Sequence, residues 1–248
     1  MAALLAPLLL VAATAPMVDP AAAQNTAQNT TGGAGPGSEE IPYGTERHAI
    51  VREADRLTGE FDLEAALGIL DAGILTWPEE PAFRWRAAQI HVGLGYLAPD
   101  DAGSLAHYRA AEGHARQMLA ADSTSVEGRY WLAVSLGRQA FHEGLRRQVE
   151  LVMATYQTAG SVLAADSLHA GAHHVLGTLH AEVLRTPRAL LWMGANILRV
   201  DALRLVSWEE AEFHHDRAVA LEPDVVLHRM RRGELYMLRE RWEEAESE

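Results

Sequence analysis

The pentapeptide LAADS occurs at residues 119–123 and again at residues 163–167, so its two copies start 44 residues apart. Two prolines, at positions 78 and 223, take the place in the repeat of Ser123 and Ser167, the serines that end the two LAADS copies. We use these four residues as anchors. The positions ten residues after these four anchors are Ala88, Ala133, Gly177 and Gly233, and those twelve residues before them are Ala66, Ala111, Thr155 and Ala211. Two helix backbones approach closely only where side chains are short. The spacing therefore predicts an internal repeat of packed helices.

The composition favours helices throughout. Hydrophobic residues make up 48% of the chain but aromatic residues only 6%, and the abundant alanine and leucine lose little free energy on entering a helix. No long stretch alternates apolar and polar residues as a strand does. The sequence predicts an all-α fold with helices near 45–58, 62–76, 81–96, 103–121, 124–142, 145–165, 169–186, 188–203, 207–220 and 224–238, and a last helix that starts near 241. We interpret LAADS as a helix end followed by the cap of the next helix.

The clearest repeat resembles a tetratricopeptide repeat. In WEEAEFHHDRAVALEP, the second-helix half of that pattern is matched by Ala211, His215, Ala218 and Pro223. In RRGELYMLRERWEEA, the following half is matched by Gly233, Tyr236 and Ala245, with the family's spacing of twelve from the first of these to the last. The resemblance implies a solenoid of helical hairpins. The paired positions lie 23, 22 and 34 residues apart in the three earlier repeats, which predicts elongated and inserted helices.

Residues 80–240 resemble, more particularly, the regulator of microtubule dynamics family, as a bacterial-type relative. The stretch that carries the resemblance begins ADSTSVEGRYWLAVSLGRQAF and ends SWEEAEFHHDRAVALEP. The long insert between the last two matched repeats, TPRALLWMGANILRVDALRLVS, is apolar enough to be an extra helix. The family name by itself does not imply a microtubule partner for this chain.

The N-terminus predicts export. Residues 2–18 form an apolar run of secretory-signal length, and small residues allow cleavage after Ala23. Residues 24–40 are polar and Gly-rich, which is typical of a disordered linker. We expect a signal peptide at 1–23, the linker at 24–40 and the solenoid at 41–248, in the periplasm or outside the cell. The last repeat looks truncated, because only three residues follow Ala245.

The residue inventory excludes several chemistries. The formal charge is −13, which argues against nucleic acid as a partner because phosphate neutralisation needs a basic surface. There is no lysine and no cysteine, so P-loop lysines, Schiff bases and thiol nucleophiles are ruled out. Neither Gly-x-Ser-x-Gly nor His-Glu-x-x-His occurs. We therefore predict no enzymatic activity and no cofactor.

The tetratricopeptide resemblance implies a concave groove lined by the first helix of each hairpin, at the positions three before and one after the small residue. In this chain those positions hold Trp85, Gln89, Tyr130, Val134, His174, Thr178, Met230 and Glu234. His174 also matches a histidine that the resembled family tends to carry. Amphipathic rings are common anchors in binding grooves. The alternative for Trp85 and Tyr130 is that they only fill contacts between repeats.

Three functions follow, in decreasing order of support. The first is a non-catalytic scaffold that binds a protein or peptide in the concave groove. The second is an amphiphile- or lipid-binding protein with a pocket closed by the inserted helices, suggested by the apolar LLWMGANIL. The third is a metal-assisted hydrolase built on histidines. We interpret His173, His180 and His215 instead as packed core rings, because they occupy repeat positions where tetratricopeptide families place aromatic residues.

Overall fold

The computed structural model describes residues 44–186 and 206–248, and the described residues form α-helices and one short 3₁₀ helix. The all-α prediction is confirmed. The helices are α1 Glu46–Gly59, α2 Leu63–Thr76, α3 Pro81–Leu97, α4 Asp101–Ala121, α5 Val126–Gln139, α6 Leu145–Ala165, α7 Ala170–Leu184, α8 Trp208–Leu221, α9 Val226–Leu238 and α10 Trp242–Glu246. None of these helices is long and apolar enough to cross a membrane.

The predicted frame of small residues lies in the helix contacts. All eight positions are buried: Ala66, Ala88, Ala111, Ala133, Thr155, Gly177, Ala211 and Gly233. The threonine keeps its hydroxyl satisfied by donating to the Leu151 carbonyl oxygen of its own helix, at 2.8 Å. Short side chains at these points let the helix backbones approach, as the spacing predicted.

Within residues 44–186 and 206–248, the helices pair as five hairpins, α1–α2, α3–α4, α5–α6, α7–α8 and α9–α10, and each hairpin packs on the next. The sequence reading missed that the frame begins in the first hairpin. Ala54 of α1 is fully buried and precedes Ala66 by twelve residues, which is the uninterrupted repeat spacing. A regular hairpin therefore stands at each end of a series whose middle members are longer.

The predicted extra length lies largely in the helices themselves. α4 and α6 are 21 residues long, against 14 for α2. The helix predicted over 124–142 is shorter, because α5 ends at Gln139 and the chain tightens into a 3₁₀ turn at Ala140–His142. The helix predicted over 188–203 and the leader and linker predicted over 1–40 lie outside the described residues.

LAADS ends a helix but does not cap the next one, so that part of the interpretation was wrong. Asp122 and Asp166 are C-terminal cap residues, and their carboxylates accept from backbone N–H groups two residues later, at 2.8 and 3.0 Å. The aspartates thus close a turn. The N-caps lie further on: the Ser125 hydroxyl accepts from a backbone N–H of α5, and His169 Nδ1 from one of α7.

Candidate binding groove

The first helices of the hairpins form one continuous face. α1 contacts α3, α3 contacts α5, α5 contacts α7 and α7 contacts α9. Among the described residues, the second helices make no contacts of comparable extent with one another. A stack whose first helices are closer together than its second helices curves toward the first helices. We call the face formed by α3, α5, α7 and α9 the concave groove.

At the α3 end, Trp85 is half-buried and the Arg86 guanidinium carbon lies 4.0 Å from its ring centre. Trp85 packs with Tyr130 and Val134 against the buried cluster around Trp131. These side chains therefore contribute to contacts between repeats while part of their surface faces solvent. Both alternatives for the aromatic residues, groove anchor and packing filler, are compatible with this position.

Tyr130 lies where α5 meets α7. Its ring centre is 4.6 Å from that of His169 and 5.0 Å from that of Trp131. Gly171 makes room for it, since a Cβ atom at that position would lie 2.7 Å from the tyrosine ring and hydroxyl. Burial, helped by the nearby carboxylate of Glu127, raises the pKa of Tyr130. The phenol therefore stays neutral and available as a hydrogen-bonding group.

Arg138 follows Tyr130 and Val134 along the same face of α5, one turn after the other. Its guanidinium carbon lies 4.5 Å from the ring centre of Tyr96, at the end of α3. The side chain is half-buried, and no carboxylate among the described residues pairs with it. Its charge acts on both Tyr130 and His174. Arg138 thus places a positive charge in the middle of the groove.

The α7 end of the groove is more deeply buried. His174 is only 6% exposed, and burial lowers its pKa well below the usual range, assisted by His228, His215 and two arginines. Thr178 follows one turn later on α7, half-buried. These two side chains therefore present a neutral imidazole and a hydroxyl side by side.

On the facing helix α9, Arg231 pairs with Glu234 at 2.6 Å. Met230 and Glu234, the two predicted groove positions of α9, are both half-buried. Gln89, the remaining predicted position, is half-buried on α3. The groove thus changes from aromatic at α3 and α5 to charged and polar at α7 and α9.

A narrow crevice of about 20 Å³ opens between α7, α8 and α9, with room for about one water molecule. Its polar lining consists of Thr178, Glu182, Arg185, His215, Arg231 and Glu234. Within the described residues, three buried atoms on its walls have no hydrogen-bond partner: Thr178 Oγ1, His215 Nδ1 and Arg231 Nε. The Nε2 atom of His174 is also buried without a hydrogen-bond partner among the described residues. Buried polar atoms of this kind normally have a partner.

The family model of regulator of microtubule dynamics protein 1-3 matches residues 50–246. The chain belongs to this family. Two crystal structures of MamA are similar to it, each at 13% identity. One has a TM-score of 0.43 and covers 78% of this chain and 88% of that chain; the other has 0.44, with 81% and 86%. No match is found among curated proteins.

This member of the regulator of microtubule dynamics family buries half of its histidines. The buried ones are His173, His174, His180, His214, His215 and His228. The interpretation of His173, His180 and His215 as packed core rings is confirmed by their burial. His173 bonds to His214 through Nδ1 and to the Ser167 carbonyl oxygen through Nε2.

The histidines also pair with each other, which sequence reasoning did not foresee. Nδ1 atoms face each other at 2.8 Å in the pair of His173 with His214 and at 3.1 Å in the pair of His228 with His174. Across the described residues, no group of three or more His, Asp or Glu side chains has the geometry of a metal site. His169, the histidine just before this cluster, caps α7.

Sequence reasoning also missed Arg138 and Arg231 as groove residues. The signal for Arg138 was available, because it continues the four-residue spacing of Tyr130 and Val134 by one more turn. Arg231 lies next to the predicted Met230 and carried no such signal. Only the packing of α9 against α7 and α8 brings it beside Thr178 and His215.

Proposed function

We propose that this protein is a non-catalytic scaffold whose concave groove binds a segment of a protein or peptide partner. The single observation that carries the proposal is Arg138. A half-buried guanidinium normally has a carboxylate partner, because taking an unpaired charge out of water is costly. In a chain of net charge −13, carboxylates are plentiful, yet none of the described ones pairs with this arginine. An acidic group of a partner would complete the pair.

The surroundings of Arg138 support a polypeptide ligand. Tyr96 lies under the guanidinium, and Tyr130 is close enough for the arginine to affect its pKa. Aromatic rings beside an arginine are typical of the residues that dominate binding energy at protein interfaces. Membership of a helical-repeat family is consistent with this role, since stacked helical repeats build extended concave binding surfaces.

Site-specific photocrosslinking tests the proposal. A photoreactive residue replaces Val134 in the groove or, as a control, the exposed Gln157 on the second helix α6. We expect a discrete polypeptide adduct from position 134 and none from position 157. Arg138→Ala should abolish the adduct, whereas Arg146→Ala, which removes a 95% exposed arginine side chain, should leave it unchanged. Equal adducts from both positions would refute a groove-specific partner.

The same protein preparation tests the amphiphile alternative. Native mass spectrometry of the purified chain would show a bound lipid as extra mass that organic solvent removes. Such a mass, with no polypeptide adduct at position 134, would replace the scaffold by a lipid-binding function. The apolar segment that motivates this alternative lies outside the described residues, so the groove itself offers no support for it.

We also propose that the protein is exported. The apolar run and the small residues before Gln24 support a cleaved leader. Intact mass measurement of the protein recovered from the periplasm of a Gram-negative host would test it. We expect a mature chain that begins at Gln24; a full-length chain retained in the membrane fraction would point to an uncleaved anchor instead.

A further inference from the structure

Two residues of opposite charge stand at the two ends of one side of α5. Glu127 lies in the first turn of this helix and Arg138 in its last turn, 11 positions later. At 3.6 residues per turn, Val134 and Arg138 each lie within about 20° of Glu127 around the helix axis. At 1.5 Å per residue, the two charged residues are about 16 Å apart along the axis. Helix α5 thus presents a negative and a positive group on its groove side, at opposite edges of the groove.

Tyr130 lies within electrostatic range of both charges. Burial raises the pKa of Tyr130, the Glu127 carboxylate raises it further and the Arg138 guanidinium lowers it. Such effects require proximity, because the interaction of two charges falls with distance and is screened by solvent. The Tyr130 hydroxyl therefore lies in the field of both groups, in the part of the groove between them.

The Glu127 carboxylate makes no ion pair with any described residue. The arginine whose charge acts on it, Arg86, is bound through two nitrogens to Asp55, at 2.7 and 2.9 Å. Burial raises the pKa of Glu127, and the Trp131 indole and the Arg86 charge oppose that rise without cancelling it. The ionised carboxylate is therefore less stable than it would be in water, and a cationic ligand group would stabilise it.

Both charged groups can be reached from the groove. Each side chain is half-buried, and Tyr96 covers the Arg138 guanidinium at 4.5 Å from its ring centre. Several side-chain atoms of the described residues are buried without a hydrogen-bond partner, but none of them belongs to Glu127 or Arg138. Since neither charged group is hydrogen-bonded to a described residue, its polar atoms contact solvent. A ligand in the groove can replace that solvent.

The helix itself does not neutralise these charges. The dipole of α5 favours an acidic residue in the first turn and a basic residue in the last turn, but each helix end carries only about half an elementary charge. A full charge that is half removed from water still gains from an ionic partner. The opposite charges at the two groove edges therefore remain available to a ligand.

We propose that the groove binds an extended polypeptide segment that lies along α5, with a basic side chain at Glu127 and an acidic side chain at Arg138. An extended chain advances about 3.1–3.3 Å per residue, so the two ligand side chains are about five residues apart. Tyr130 and Val134 lie between the charges and favour an apolar stretch there. This inference rests on the proposed function of the groove. It adds the charge pattern and the orientation of the bound segment.

A synthetic hexapeptide with blocked ends is the probe, with arginine first, aspartate last and four prolines between them. The polyproline conformation holds its charged residues about 15 Å apart. NMR titration of the whole protein follows the ring signals of Tyr130 and the methyl signals of Val134, and we expect saturable shifts. Replacing the arginine of the peptide by alanine, its aspartate by asparagine, or its four prolines by one should each weaken binding about three- to tenfold. Equal binding of all these peptides overturns the proposal, and so does the absence of binding by the hexapeptide.

Two variants of similar shape assign each charge to its ligand group. Glu127→Gln should remove the advantage of the peptide arginine and keep that of the aspartate, and Arg138→Gln should do the converse. The matched controls are Glu209→Gln and Arg146→Gln, at exposed positions of second helices. A variant that removes both advantages equally would contradict two separate charge sites. The peptide series on the unchanged protein keeps the proposal testable even if a variant does not fold.

The outcomes separate this inference from the proposed function. If crosslinking at position 134 still requires Arg138 but the peptides show no charge preference, the scaffold function stands and the charge pattern fails. If the charge preference is found without any groove-specific adduct, the groove recognises this pattern but its partner-binding function is not supported.

Discussion

The two ends of the solenoid fill the same frame with different chemistry. Leu70 in the first hairpin and His215 in the fourth occupy the same place, four residues after the small residue of the second helix. Both are buried, with exposed fractions of 0% and 1%. Three residues after the small residue of the first helix stand Leu57 and His180, again both buried. The small residues therefore set the spacing of the helices, and the side chains around them are free to be apolar or polar.

The difference decides how each end responds to conditions. The N-terminal core, around Leu70 and Phe83, gains its stability from burying apolar surface, which does not depend on protonation. The C-terminal end buries a cluster of histidines that are hydrogen-bonded in pairs, and its neighbouring apolar cluster is small. That arrangement is favourable only while the rings remain neutral.

Truncating the N-terminal core should have the largest effect. Phe83 is fully buried and touches the ring of Trp77, so Phe83→Ala should lower the free energy of unfolding by about 3–5 kcal/mol. Leu75→Ala, which truncates an 87% exposed side chain, should change it little. Urea denaturation followed by circular dichroism measures both. A loss as small for Phe83 as for Leu75 would contradict an apolar core at this end.

Acid should weaken the C-terminal end more than the first hairpin, although burial also lowers the pKa of His91 on α3, to about 4. Burial lowers the pKa of His215 to about 3 and that of His214 to about 4, below the ordinary 6.5. The unfolded chain then binds more protons than the folded chain, so stability falls as pH drops below about 6.5 and continues to fall toward the folded pKa values. For His215 alone the loss at pH 5 is about 2 kcal/mol.

Hydrogen exchange read by mass spectrometry locates this loss. Between pH 7.5 and pH 5, after correction for intrinsic exchange rates, amides of α7–α9 should lose protection while those of α1 and α2 keep it. A uniform loss along the chain would show that the repeats unfold as one unit and would break the comparison.

The frame position at Gly177 should not tolerate an added methyl group. A Cβ atom at Gly177 would lie 3.0 Å from the His215 ring, so Gly177→Ala should destabilise the protein by about 1–3 kcal/mol. Gly113 lies off the frame, in α4, and a Cβ atom there meets nothing within 4 Å. Gly113→Ala should therefore stabilise the chain by about 0.5–1 kcal/mol, because alanine is the better helix former. Thermal unfolding of both variants distinguishes them by sign.

The sequence alone was sufficient to predict the small residues that space the helices. It was not sufficient to predict how the side chains around them pair. Small residues at fixed offsets are visible in one dimension, because every repeat must satisfy the same backbone spacing. The pairing of His174 with His228 joins residues 54 positions apart, and no periodicity encodes which ring faces which. The same holds for the crevice, where Thr178 and Arg231 meet only through the packing of α7 and α9.

Some predicted helix boundaries were wrong for a related reason. Ser123 has the chemistry of an N-cap, but the aspartate before it closes a turn that moves the helix start two residues further, to the cap at Ser125. Residue type indicates which side chains can cap a helix. Where two candidates lie close together, the geometry of the turn decides which one caps the helix. Such competition is not resolved by counting residues.

A further small effect is one that the two ends should share. The Asp62 side chain accepts from a backbone N–H at the start of α2, and the Ser207 side chain does the same for α8. Asp62→Ala and Ser207→Ala should each cost about 1 kcal/mol, because a cap acts on its own helix whatever the core beside it contains. Chemical denaturation at pH 7.5 compares them. If Ser207→Ala cost several times more than Asp62→Ala, the C-terminal end would depend on local hydrogen bonds to a degree that its buried histidines do not explain.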